Sequence, residues 1–404
     1  MVNERRNFIA LVWHGFFLAL AQTFAERNTV LPALILSVGG TQTTLGVLTS
    51  IVIGVPMLAQ LIFAGFLNTK VYKKKYLILG ILLRVFAFAG LSLTIWFYSS
   101  LSTEMTIALI FLWMLLFSTS GAFAGISYTD IVGKSMDSST RKKFLVTRQF
   151  ISGIGLFFSA LVARQVLRGF DYPHNYQVMF AIAASLLFVA SWGFMAIKEK
   201  PSELKHMQNS TLKILKSIPE ILRLDKKFRY FIYVVNLTGF SLTIIPFYIA
   251  LGKESFSISA GQIGNLLLIQ IVGMILANIF WSKFVHKRGY RGVISVFIGF
   301  QVLLPVLFLI ASHYYSMTEF SVLFFFVGIA ISAQKISFEG ILYEITDETN
   351  RALYSGVYGA LSLTISLFPL VSGLLLNSLG FAIIFPIVSL IALTSIIFVR
   401  ILRV

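Results

Sequence analysis

The sequence lacks cysteine altogether, so neither disulfides nor thiol chemistry is open to it, and cysteine usage carries no information on redox compartment. Histidine is scarce. The five present are scattered, with no two at i, i+4 around a glutamate, so the zinc-hydrolase pattern is missing and no metal site is expected. No glycine-rich phosphate-binding loop occurs, which excludes ATP-driven work by this chain alone. A serine-centred nucleophile elbow is also absent, as is any cluster of catalytic polar residues near one end of the apolar segments. An enzyme is therefore not expected, and no cofactor is called for. Negative charge is thin: 16 acidic residues face 33 lysines and arginines, a net charge of +17.

What fills the sequence instead is apolar. Hydrophobic residues make up 57% and charged residues 12%, with mean hydropathy +0.86, far from soluble composition. Twelve apolar runs recur, at 8–36, 43–67, 76–98, 105–130, 149–167, 176–197, 228–250, 260–284, 293–312, 319–345, 352–377 and 380–399. Each is long enough to cross a hydrocarbon core of about 30 Å. Lipid offers no partner for unpaired backbone groups, so each must be a helix. The expectation is an all-α integral membrane protein with twelve transmembrane helices. The first run is too long, and lacks the small-residue cleavage site, to be a signal peptide.

The placement of the positive charge gives an orientation. Lysine and arginine cluster at alternate connections: Lys70–Lys75, Arg141–Lys143, residues 198–229 and Lys283–Arg291, with further basic residues at both ends of the chain. The intervening connections carry only Arg168 and Lys253. By the positive-inside rule both termini face the cytoplasm, as in a multi-pass plasma (bacterial inner) membrane protein. Contact with anionic lipid is expected on that side, and nucleic-acid binding is not.

The longest polar connection divides six runs from six. It contains Leu212, Leu215, Ile218, Ile221 and Leu222 at three- and four-residue spacing between lysines, the mark of an amphipathic helix lying on a membrane surface. The expected division is an N-terminal six-helix bundle at 1–197, a cytoplasmic linker at 198–227 and a C-terminal six-helix bundle at 228–404. The halves echo each other. "NTVLPALIL" and "LTIIPFYIAL" place Pro32 opposite Pro246, 214 residues apart. "TLGVLTSIVIG" and "QIGNLLLIQIVG" place Gly46 opposite Gly264, 218 residues apart. Two pseudo-symmetric six-helix bundles with an inner connection are the layout of a transporter built from parallel repeats, and a monomer is expected.

On these residues the chain resembles the major facilitator superfamily over essentially its whole length. "GFLNTKVYKKK" resembles the superfamily's loop 2–3 signature, Gly-x-Leu-x-Asp-Arg-x-Gly-Arg-Lys, keeping Gly65, Leu67, Lys70, Lys73 and Lys74 while Thr69 replaces the acid and Tyr72 the second glycine. The second-half copy, "HKRGYR", keeps Gly289. "YEITDETNR" is similar to the Glu-x6-Arg element of sugar porters, giving Glu344 and Arg351. The resemblance implies a cytoplasmic gate of Lys70, Lys73, Lys74, Asp130, Arg141, Arg288, Arg291, Glu344 and Arg351. In it Asp130 would pair with Lys70, Lys73, Lys74 or Arg84, and Glu344 with Lys287, Arg288 or Arg291. Such pairs break and remake as the halves rock. The basic loops could equally do no more than set topology.

Charges also stand inside the runs. Glu26 and Arg27 lie in "TFAERNTV", Lys335 and Glu339 four apart in "AQKISFEG", and Arg84 and Arg164 in the third and fifth runs. A charge at bilayer depth usually faces a protein interior or a watery cavity. The resemblance implies that the first, fourth, seventh and tenth helices line such a cavity. Its candidate residues are Gln22, Glu26, Arg27, Tyr128, Asn236, Gln270, Gln334, Lys335 and Glu339, with His14 as a further polar group. Glu26, and after it Glu339, are the candidates for proton coupling, since desolvation can bring a carboxyl into the range where it exchanges protons. Glu26 could instead be locked against Arg27 or Arg164 as a structural pair, and Lys335 could receive an anionic group together with Arg164.

The drug–proton antiporter signature of helix 5 and the Gln-Gln pair of sugar porters are both missing. The expectation is a secondary active transporter of a small molecule working by alternating access. It would be proton-coupled and would export an amphiphilic or anionic compound; the alternative is a lipid flippase or scramblase of the same fold. The cysteine-free sequence makes the topology directly testable. Lys142→Cys should label with an impermeant maleimide only from the cytoplasmic side and Ser102→Cys only from the opposite side; labelling of both from one side would overturn the orientation.

Overall fold

The structure, a computed structural model, describes residues 2–201, 211–347 and 350–401, and among these every regular element is a helix. In chain order they are α1 (Val2–Phe24), α2 (Val30–Ser37), α3 (Gln42–Asn68), α4 (Lys74–Trp96), α5 (Thr103–Ser135), α6 (Ser138–Gly169), α7 (His174–Ala196) and α8 (Thr211–Leu224). They continue with α9 (Lys226–Thr243), α10 (Ile245–Phe256), α11 (Ala260–Tyr314), α12 (Met317–Glu344), α13 (Arg351–Ser362), α14 (Phe368–Leu379) and α15 (Phe381–Ile401). Among the described residues, eleven helical segments are long and apolar enough to cross a membrane. The longest, α11, joins two of the expected runs at Gly289, whose φ of 65° and ψ of 179° leave the helical region. The left-handed φ there suits a residue without Cβ. All twelve apolar runs are thus helical, and the chain is a multi-pass membrane protein.

The chain folds as two compact units, Met1–Leu34 with Ile51–Gln208, and Ile35–Ser50 with Asn209–Val404. In the first unit α1 packs on α6 and α7, while α4 packs on α5 and α7. In the second, α11 packs on α12 and α15, and α15 on α9. The segment Ile35–Ser50, early in the chain, is held within the second unit. Thr43 donates to the Gly373 carbonyl at 3.4 Å, Asn377 donates to Thr43 at 2.5 Å, and Lys253 donates to Ser37 at 2.6 Å. Helix α8 falls in the expected linker, whose residues 202–210 lie outside the described ones.

The first run, expected as one helix over 8–36, is broken at residues 25–29. The Glu26 carbonyl accepts from the backbone N–H of Val30 (3.0 Å) and Leu31 (3.1 Å), restarting the helix as α2 with Pro32 in its first turn. The seventh run breaks at the corresponding place, between α9 and α10 at Ile244, with Pro246 in the first turn of the new helix. Proline lacks the N–H that a first turn leaves unpaired anyway, so it marks restarts cheaply. The two breaks are the structural counterpart of the Pro32–Pro246 repeat.

Between apolar helices in lipid there is little hydrophobic drive to associate, so close contact rests on small residues. Within the second unit, a Cβ on Gly328 of α12 would lie 2.0 Å from the Gln270 carbonyl oxygen of α11, and one on Gly273 would lie 2.1 Å from the Phe325 carbonyl oxygen. Both obstacles are backbone, so they cannot rotate away. Gly328→Ala should therefore lower the thermal unfolding midpoint in detergent, at a cost on the order of 1–3 kcal/mol from overpacking. The control is Gly299→Ala, where nothing lies within 4 Å; it should be neutral or slightly stabilising. Equal behaviour of the two variants would refute the packing account.

Candidate functional site

Two polar systems stand out in the first unit. One ties its helix ends together. Asp130, on α5, takes Lys73 Nζ at 2.6 Å and Lys134 Nζ at 2.9 Å, and Lys134 reaches Glu199 Oε1 at 2.8 Å. Glu199 also accepts the backbone N–H of Lys73 at 2.5 Å and of Lys74 at 2.8 Å, which places a carboxylate on the N-terminus of α4, where the helix dipole favours negative charge. Lys74 Nζ donates to the carbonyls of Met195 (2.8 Å) and Ile197 (2.7 Å), closing the last turn of α7. Of the partners expected for Asp130, Lys73 is the one found. Arg84 lies elsewhere, and Lys70 sits 4.6 Å over the Phe66 ring. Arg141 donates to the Gly133 carbonyl at 3.4 Å.

The second system lies in the interior. His14, buried, stacks on Phe194 at 3.6 Å between centroids, and its Nδ1 is 3.2 Å from the Ala190 carbonyl oxygen. Tyr128 accepts a hydrogen bond from Arg148 Nη1 at 2.7 Å. Arg148 lies 5.9 Å over the Tyr128 ring and 5.7 Å over Phe144, while Arg84 lies 4.1 Å over Phe117. Arg84 Nε is buried and has no hydrogen-bond partner. Among the described residues, no ion pair engages Arg84 or Arg148.

Glu26 is half-buried, and its carboxylate is held locally: Oε2 accepts from the Asn28 backbone N–H (2.8 Å) and the Thr29 hydroxyl (2.9 Å), Oε1 from the Asn28 side-chain amide (2.9 Å). It forms no pair with Arg27, which is exposed as Gln22 is. In the second unit Asn236 donates to the Ile232 carbonyl at 3.0 Å and accepts from the Thr364 hydroxyl. Gln270 is buried with its Oε1 unpartnered. Gln334 is half-buried; Lys335 and Glu339 are both exposed on α12 and do not pair, although four residues apart. Glu344 is exposed and makes no ion pair with Lys287, Arg288 or Arg291; Arg288 is exposed and Arg291 instead donates to the Arg400 carbonyl at 3.0 Å. The side chain of Arg351 lies outside the described residues.

Sequence inspection missed three members of these systems. Lys134 was legible as the i+4 partner of Asp130. Arg148 lies one residue outside the apolar run at 149–167 and was passed over, whereas α6 begins ten residues before it, at Ser138. Glu199 follows α7 in a lysine-rich stretch and gave no local signal.

Residues 229–404 match the family model of the Major Facilitator Superfamily. No curated protein matches the chain. Among solved structures, a POT family transporter in complex with a thioalcohol-conjugated peptide superposes with a TM-score of 0.72 at 12% identity, covering 99% of this chain and 96% of that one. The nucleoside transporter NupG gives 0.65 at 16% identity, covering 100% and 98%. The human organic anion transporter MFSD10 gives 0.64 at 14% identity, covering 98% and 99%. At such identities the likeness is one of fold.

The Asp130 network makes a stability prediction. Removing its charge leaves Lys73, whose side chain is 5% exposed, without a carboxylate on its ammonium. Asp130→Asn should cost on the order of 1–3 kcal/mol, reduced from the full buried-pair value because Asp130 is partly solvated. Arg141→Gln, which loses one long bond to a carbonyl, should change the unfolding midpoint little. An Asp130→Asn protein as stable as the parent would show the network to be ornamental.

Proposed function

We propose that this chain is a transporter of the Major Facilitator Superfamily that moves a small molecule by alternating access coupled to a proton gradient, a reading supported by the family match of residues 229–404 and by the fold. The observation that carries this is the set of charged side chains standing in apolar helices without a countercharge: Arg84, Lys335 and Glu339. A charge at the centre of a membrane helix costs about 2.5–3.5 kcal/mol on insertion scales, so one kept without a partner implies access to water or to a ligand.

Of the two carboxylates considered for proton exchange, Glu339 suits the task better. Glu26 has three donors on its carboxylate and closes the break between α1 and α2. Protonation there would forfeit bonds that hold the backbone, which fits a scaffold. Glu339 is exposed, and Lys335 stands one turn away on the same face. A deprotonated Glu339 can be taken up by Lys335 and a protonated one released, so occupancy of the pair changes with proton load. The Lys73–Asp130–Lys134–Glu199 network serves the cytoplasmic end, with Glu344 and Arg351 as its second-repeat counterparts.

Nucleoside, peptide and organic anion carriers share this fold, so the fold leaves the substrate to the side chains. Polar groups within the helices are few, which favours export of an amphiphilic or anionic compound over uptake of a sugar. The test uses the purified chain in proteoliposomes and a solute identified by saturable uptake. Glu339→Gln should abolish accumulation driven by a pH gradient and retain counterflow exchange, while Glu26→Gln should chiefly lower thermal stability. Undiminished gradient-driven accumulation in Glu339→Gln would sink the coupling role. Head-group-specific lipid translocation with no solute movement would replace the solute carrier by a flippase.

A further inference from the structure

Two arginines of the first unit, Arg84 and Arg148, are half-buried and engage in no ion pair among the described residues. Gly121, Gly125 and Tyr128 follow one another at i, i+4 and i+7 on α5 and therefore share a face. Arg84 meets that face at Gly121, where an added Cβ would lie 3.5 Å from its Nε and 3.6 Å from its Cζ. Arg148 meets it at Tyr128, donating to the phenol oxygen at 2.7 Å. Seven residues of helix separate the two points, about 10 Å along the axis. Between them, at Gly125, nothing lies within 4 Å of an added Cβ. The face thus presents a gap bracketed by two guanidiniums.

Several observations show that the gap is not already served by the protein. Arg84 Nε is buried without an acceptor. Neither arginine is in an ion pair among the described residues. Asp130, the carboxylate nearest in sequence, is two residues beyond Tyr128 and so about 200° around the helix. It is taken by Lys73 and Lys134. Arg84 lies 4.1 Å over the Phe117 ring and Arg148 5.9 Å from the Tyr128 ring centre, contacts that attract cations without neutralising them. Gly125 and both arginines are half-buried, neither sealed nor fully solvated. Guanidinium groups present a planar fork that matches carboxylate and phosphate oxygens, and the surrounding rings supply an apolar wall.

We propose that the gap over Gly125, between Arg84 and Arg148, is a binding site for an organic anion: a carboxylate or phosphate group carried on a small apolar body. This rests on the transporter function proposed above and names the substrate class for it. The anionic head lies between the two guanidiniums and takes N–H groups from both, and the apolar body lies against the aromatic rings.

The experiment is binding to the purified full-length chain in mild detergent, by thermal unfolding and by equilibrium titration, with benzoate and phenyl phosphate as probes and benzyl alcohol as the neutral counterpart. At least one anion should raise the unfolding temperature saturably while benzyl alcohol does not, since a ligand of the folded state stabilises it by mass action. Arg148→Gln should weaken the binding about tenfold or more, the usual loss for a hydrogen bond to a charged group. Gly125→Val fills the gap while keeping both charges. It should weaken binding comparably and leave the unliganded unfolding temperature near that of the parent, so it carries the test if an arginine variant does not fold. Equal stabilisation by benzyl alcohol, unchanged anion affinity in Gly125→Val, or no anion binding at millimolar concentration would each overturn the site. A neutral solute carried at the parent rate by Gly125→Val would overturn it too and leave transport standing. Anion binding without saturable uptake of any solute would keep the site and remove the transporter function.

Discussion

Hydrocarbon offers no hydrogen-bond partner, and nearly everything in this protein follows from that. Backbone groups must be satisfied inside each segment, which forces helices and makes every interruption need a local remedy. The break after α1 is such a case. Glu26 supplies both a carbonyl to the N–H groups of Val30 and Leu31 and a carboxylate to Asn28 and Thr29. The carbonyl and the carboxylate of Glu26 together meet donors that the break would otherwise leave unpaired. The same rule governs α4, whose first N–H groups are met by Glu199 from beyond α7.

The constraint also sorts the charges by role. Several at helix ends of the first unit are paired, in the chain from Lys73 through Asp130 and Lys134 to Glu199. Those inside the helices divide again. Glu26 is consumed by its own turn; Lys335 and Glu339 remain exposed, and Arg84 keeps a buried Nε without an acceptor. A group that lacks a partner where partners are obligatory is the best physical pointer to a ligand. On that ground Arg84 and the Lys335–Glu339 face of α12 matter more than the larger number of well-bonded polar residues.

Small residues do the remaining work. Gly273 and Gly328 let α11 and α12 approach until a single methyl group would collide with backbone. Gly125 is the opposite case, since its missing side chain is not filled by a neighbour. Glycine in a membrane helix therefore has two meanings, contact or space, and only the atoms around it tell which.

Composition and charge placement alone determined that the chain is a membrane protein of twelve helical runs, because hydropathy and run length are properties of consecutive residues. The Pro32–Pro246 correspondence marked the repeat, though not the breaks that accompany it, and Asp130 with Lys73 could be expected from a loop signature. Partner choice was another matter. Whether Asp130 met Lys73 or Arg84, whether Lys335 closed on Glu339, and whether Arg148 belonged to a loop or to the interior depended on helix rotation and on where α6 began. A lone sequence carries little information on rotation, since uniformly apolar helices show no strong polar face. Only the packed structure decides which side chains meet, and which are left without a partner.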